Sequence, residues 1–145
     1  MTQIKSRAVY AIIAAVLVLC GMAYFKSSNT NSRRRCLDTA TAKPALDEAA
    51  SKIDDAVRAA KSGDTTTAAS YMRSAARSLR TAANASSADS AVSQPLMMAA
   101  GAYDKAGTAY VSGDETGAAL YATDAIASLK TSNQALRESS VPRCQ

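Results

Sequence analysis

Ser62-Gly63-Asp64 recurs as Ser112-Gly113-Asp114, fifty residues further along the chain. Behind the turn the match continues without a gap. Thr66, Ala68, Ala69, Tyr71, Ala75, Ser78, Leu79 and Thr81 stand opposite Thr116, Ala118, Ala119, Tyr121, Ala125, Ser128, Leu129 and Thr131. Upstream, Ala49, Ala50, Ala56 and Ala59 match Ala99, Ala100, Ala106 and Ala109, while Pro44 finds its counterpart one place off, at Pro95. Such agreement at a single offset marks an internal duplication. It restricts the fold strongly, because the two copies must adopt the same local structure and then share one core.

Within the first copy, Leu46, Ala49, Ala50, Ile53, Val57 and Ala60 recur at helical spacing. Pro44 suits a first helical turn, Ser62-Gly63 supplies a stop, and Asp64 caps a second helix with Ala68, Met72, Ala75, Ala76, Leu79 and Ala83 on its apolar face. The second copy repeats this from Pro95 to Val111 and from Asp114 to Glu138. The expected class is all-α: a four-helix up-down bundle made of two αα-hairpins. The first hairpin is placed at 44–83, a Ser- and Ala-rich linker at 84–94 and the second hairpin at 95–138, inside a domain spanning 36–145. With no Trp and one Phe, its core has to be assembled from Ala with scattered Leu, Ile, Val, Met and Tyr.

Each turn with its following helix resembles the middle of a tetratricopeptide repeat, in which a Gly-Asp turn precedes small residues at helix crossings. Gly63, Asp64, Ala68 and Ala75, and Gly113, Asp114, Ala118 and Ala125, carry the likeness over about twenty residues per copy. The resemblance implies a peptide-binding groove. The spacing departs from that family, whose period is about thirty-four, and the first helix of each pair lacks the family's large aromatic.

Ahead of the duplication lies Ala8 to Phe25, an uninterrupted apolar run flanked by Arg7 and Lys26. As a helix it would be about 27 Å long, close to the roughly 30 Å of a bilayer's hydrocarbon core. Residues 1–25 therefore read as a signal-anchor or transmembrane segment that contacts lipid through 8–25, and residues 26–35 as a basic flexible tether. Lys26, Arg33, Arg34 and Arg35 are candidate lipid contacts. A cleavable signal ending at Ala23 is the alternative, and would release a secreted helical inhibitor or binding domain.

The net charge of +5 invites a nucleic-acid reading until it is located. Residues 1–35 hold six bases and no acid, whereas 36–145 hold eleven bases and twelve acids. The basic character belongs to the membrane flanks, so no nucleic-acid partner is expected. Of the three cysteines, Cys20 lies inside the apolar run, and Cys36 and Cys144 bracket the duplication. The bracketing pair reads as a disulfide if the domain lies in an oxidising compartment, and as two free thiols otherwise. The pair favours the domain lying outside the cytoplasm, in the periplasm or at the cell surface. The bases after the run favour the cytoplasmic side by the positive-inside rule.

No catalytic constellation is present. The chain has no His, no Gly-rich phosphate loop and no metal-ligand spacing, so no cofactor and no enzymatic activity are expected. Asp54 and Asp55 are adjacent and would point about 100° apart on a helix, too divergent for an acid–base pair. Arg73, Arg77 and Arg80 form one helical stripe with no acid between Thr65 and Ala88. That stripe is a candidate docking surface for an acidic partner or anionic headgroups. The functional expectation is a membrane-anchored, non-enzymatic binding or assembly module at the cell envelope, engaging a protein partner or itself. A self-associating subunit of a membrane-bound particle is the alternative within the structural class.

Overall fold

Among the described residues, aspartate starts every helix. The computed structural model describes residues 36–144, and in it a two-residue strand β1 (Leu37–Asp38) leads into α1 (Thr39–Lys61), α2 (Thr65–Ala85), α3 (Ser90–Val111) and α4 (Glu115–Glu138), followed by β2 (Arg143–Cys144). Asp38, Asp64, Asp89 and Asp114 are the four N-caps. Their carboxylates accept backbone N–H groups of Thr41 at 3.0 Å, Thr67 at 2.9 Å, Ala91 at 3.0 Å and Gly117 at 2.7 Å. Each bond satisfies a donor that the first helical turn leaves without an intrahelical partner. The bonds from Thr41 and Thr67 hold the carboxyls of Asp38 and Asp64 below the usual aspartate range.

Apart from the short β1–β2 pair, the described residues fold into four helices, consistent with a four-helix bundle. Both Ser-Gly-Asp segments make the same turn. Gly63 and Gly113 take φ of 82° and 78°, the left-handed conformation that ends a helix at low cost only for glycine. Asp64 N donates to Ala59 O at 3.0 Å and Asp114 N to Ala109 O at 2.9 Å. The serine hydroxyls repeat as well, Ser62 Oγ donating to Ala59 O at 2.8 Å and Ser112 Oγ to Ala109 O at 2.9 Å. Beyond the turns, Lys52 lies 5.6 Å from the Tyr71 ring centre and Lys105 lies 5.7 Å from that of Tyr121, so each hairpin carries a lysine from its first helix over the tyrosine of its second.

The helices begin earlier than the prolines suggested. α1 starts at Thr39 and α3 at Ser90, which places Pro44 and Pro95 each at the sixth helical position. A proline there forfeits the bond to the carbonyl four residues back, those of Ala40 and Ala91, and both residues are exposed to water. The expected linker at 84–94 is correspondingly short: α2 continues to Ala85, a turn occupies 86–89, and the rest is α3. Asp38 and Pro44 match Asp89 and Pro95 at an offset of fifty-one, while the turns match at fifty. The lengths of α1 and α3, 23 and 22 residues, absorb that one-residue difference.

Close backbone approach joins α1 to α2, α2 to α3 and α3 to α4. One core cluster links all four helices, and alanine supplies most of it, with Ile53, Met72, Leu79, Leu96, Tyr103 and Leu129 as the large fully buried side chains. Small residues at the crossings allow the near contact. A Cβ on Gly107 of α3 would lie 3.1 Å from the carbonyl oxygen of Ala69 on α2, so glycine there sets the separation of those two helices.

The chain ends are fastened to each other. Cys36 and Cys144 form a disulfide with Cα atoms 5.5 Å apart across a sequence separation of 108. Beside it β1 and β2 pair in parallel, Leu37 with Arg143 and Asp38 with Cys144. Leu37 N donates to Pro142 O at 2.8 Å, and Thr39 Oγ1 donates to Cys144 O at 2.8 Å. The hydroxyl of Ser139 reaches the Asp89 carboxylate, and Ser132 Oγ donates to Val92 O at 2.9 Å, drawing the end of α4 onto the α2–α3 turn. Among the described residues no helix is long and apolar enough to cross a membrane. The expected membrane segment and tether, with Lys26, Arg33, Arg34 and Arg35, lie outside the described residues.

Two outcomes are expected from this architecture. Gly63→Ala and Gly113→Ala, each in open space, should cost about 1–2 kcal/mol apiece through backbone conformation alone, read as a fall in urea unfolding free energy. Replacing Cys36 and Cys144 together with Ser should remove about 2–5 kcal/mol, because the bond closes a loop of more than a hundred residues. Equilibrium unfolding of both proteins without reductant measures that difference.

Candidate functional site

The arginine stripe of α2 runs along its boundary with α3. Arg80 pairs across that boundary with Asp104 of α3, both side chains about two-fifths exposed. Arg77 donates to Ser74 Oγ at 2.8 Å within its own helix. Arg73 lays its aliphatic stem beside Gly107, where a larger residue on α3 would displace it. Arg73 and Arg77 are exposed and, among the described residues, make no ion pair with a carboxylate. The three arginines thus differ. One bridges two helices, and two present guanidinium groups to solvent.

Acids elsewhere are largely engaged. Arg58 sits between Asp54 at 3.4 Å and Asp55 at 2.5 Å, and Lys43 pairs with Asp47 at 2.8 Å, all within α1. Such exposed pairs contribute about 0–1 kcal/mol each. The adjacent aspartates share one arginine and do not face a common reaction centre. No group of three or more His, Cys, Asp or Glu able to hold a metal occurs among the described residues.

Among the described residues, two buried side-chain polar atoms have no hydrogen-bond partner: Tyr103 Oη and Asn133 Oδ1. Tyr103 is fully enclosed, and burial pushes its phenol well above its ordinary pKa. Tyr110 shifts the same way through burial and the nearby Glu115 carboxylate. Neither phenol is therefore suited to give up a proton near neutral pH. A shallow groove of about 360 Å³ lies between α3 and α4, with Lys105, Thr108, Ser112, Asp114 and Tyr121 in its lining. It is an open surface feature beside the lysine–tyrosine contact of the second hairpin.

Asp104 is a participant that periodicity did not reveal. Its signal is positional: Asp104 repeats Asp54 at the offset of fifty, and its own neighbour has changed from Asp55 to Lys105. Gly107 does fall on the helical face that carries Leu96, Ala99, Ala100, Tyr103 and Tyr110. No protein-family model, curated protein or solved structure matches this chain.

Replacing Arg73, Arg77 and Arg80 together with Gln should leave the thermal midpoint within a few degrees of the parent, since the one interhelical pair is half exposed and worth about 0–1 kcal/mol. Circular dichroism melting checks this. A much larger fall would make the stripe part of the folding machinery.

Proposed function

We propose that this chain is a non-enzymatic binding or assembly module of the cell envelope, held by a retained membrane segment at 8–25 with its four-helix domain outside the cytoplasm. The observation that carries the reading is the pair Arg73 and Arg77, exposed and without a carboxylate on a helix that has no acid of its own. A guanidinium left without a carboxylate offers paired donors in a fixed plane, which match a carboxylate from another protein. With Arg80 half-neutralised by Asp104, the surface favours an acidic protein segment that lies along α2. The Cys36–Cys144 bond supports an oxidising compartment.

A synthetic Glu- and Asp-rich helical peptide is the probe. The full chain in detergent should bind it with a Kd that weakens as salt rises, and the Arg73→Gln, Arg77→Gln, Arg80→Gln variant should lose about tenfold or more, in line with loss of two unscreened charge contacts. Equal affinity for parent and variant would overturn the reading. Binding confined to vesicles of anionic lipid would replace the protein partner with a membrane surface. A native amino terminus at Tyr24 would remove the anchor.

A further inference from the structure

The duplication allows the two hairpins to be compared position by position, and their outer surfaces have diverged in one direction. On the first helix of each pair, Asp47, Glu48, Ser51, Arg58 and Lys61 correspond at the fifty-residue offset to Met97, Met98, Gly101, Thr108 and Val111. On the second, Ser70, Arg73 and Arg77 correspond to Leu120, Thr123 and Ala127. The large apolar side chains most exposed among the described residues all fall in the second copy: Met98 at 67%, Leu120 at 63%, Val111 at 58% and Met97 at 47%. Each stands where the first copy carries a charged or hydroxyl side chain. Both copies have the same fold, so folding does not demand the change.

We infer that the outer face of the second hairpin, α3 with α4, is an interface between two copies of this chain. The inference rests on the assembly-module reading above, but uses a different surface from the arginine stripe. Two features commit it to a second copy. With Asp104 tied to Arg80, the exposed charges left on α3 and α4 are Lys105, Lys130 and Arg137 against Glu115, Asp124 and Glu138, a balanced set that suits a self-complementary contact and offers no attraction to an anionic surface. The face has suitable dimensions: α3 is about 33 Å long and two adjacent helices are roughly 20 Å across, giving about 660 Å² per copy against about 800 Å² in a standard interface.

A twofold axis along the bundle brings α3 of one copy against α4 of the other at equal heights. Because Lys105 is level with Tyr121 within one chain, the same level across the axis sets Lys105 near the second copy's Tyr121 and Asp124. Met98 then falls near Ala127, and Leu120 falls near the methylene stem of Lys105. Each contact occurs twice, as an isologous contact requires.

The test uses the full chain in mild detergent with Cys20→Ser, and follows mass by sedimentation equilibrium. The parent should show a concentration-dependent monomer–dimer equilibrium. Giving the second hairpin the first one's residues, with Met97→Asp, Met98→Glu, Val111→Lys and Leu120→Ser together, should weaken it by about tenfold or more while leaving the melting midpoint nearly unchanged, since these side chains are exposed. Mixing a Met98→Cys protein with an Ala127→Cys protein should give a covalent dimer on mild oxidation, and Ser51→Cys on the first hairpin should not cross-link. The arginine-to-glutamine triple variant should dimerise like the parent, which separates failure here from failure of the docking stripe. A monomer at every concentration, an undiminished dimer in the fourfold variant, or cross-linking from Ser51→Cys alone would overturn the inference.

Discussion

Close approach of helices through alanine is the condition on which the domain depends. Sixteen of the twenty-seven residues in its core cluster are Ala, so most crossings present a methyl group to a neighbouring backbone. A methyl buries little apolar area, and its contribution comes from density of contact. The consequence is sensitivity: Gly107 lies against the Ala69 carbonyl, and one added carbon there already meets backbone. Larger side chains are few, and Tyr103, Ile53, Met72 and Leu129 fill the interior that the short residues leave. Tyr103 does so with its hydroxyl unpartnered, a cost of about 1–3 kcal/mol that a wholly apolar residue would avoid.

Such a core leaves much of the specification to the helix ends. Four aspartate caps, two glycine turns and the disulfide fix where each helix begins and how the hairpins close. Asp64 and Asp114, with the glycine turns before them, were also the most legible parts of the sequence, because a cap beside a turn is a local chemical requirement expressed within three or four residues. The fifty-residue repeat made both hairpins visible for the same reason. The starts of α1 and α3 were less visible: Pro44 and Pro95 resemble first-turn residues, yet the true caps, Asp38 and Asp89, lie six positions earlier. Ser-rich composition at 84–94 likewise resembled a linker, although serines tolerate helix when an aspartate precedes them. The Arg80–Asp104 pair could not be read at all, since it exists only once α2 and α3 have a fixed register.

Duplication gave this domain two surfaces that could change independently. The first hairpin kept an outer face rich in charge, with its acids tied to Arg58 and Lys43 and its arginines turned along α2. The second carries methionine, leucine, valine and small residues there, with the same turn and cap and with a lysine-over-tyrosine contact made from a different position, since Lys105 aligns with Asp55 and not with Lys52. Selection for folding alone acts on both copies alike. The contrast therefore locates functional pressure on the outside of the helices, where neither the core nor the caps constrain the choice of residue.

The joined ends also determine how the molecule would carry tension. Pulling on the chain at Cys36 delivers force to a covalent bond shared with β2, beyond the end of α4, before any helix is strained. α1 is not simply peeled away from its start, because Cys36 just ahead of it is bonded to Cys144 and its first residue, Thr39, donates to the Cys144 carbonyl. Tension from a tether on one side and a partner gripping the helix sides on the other would instead run lengthwise through the packed helices. In that shearing direction many small contacts must yield together, so a domain built from alanine would resist a pull better than its thin core suggests.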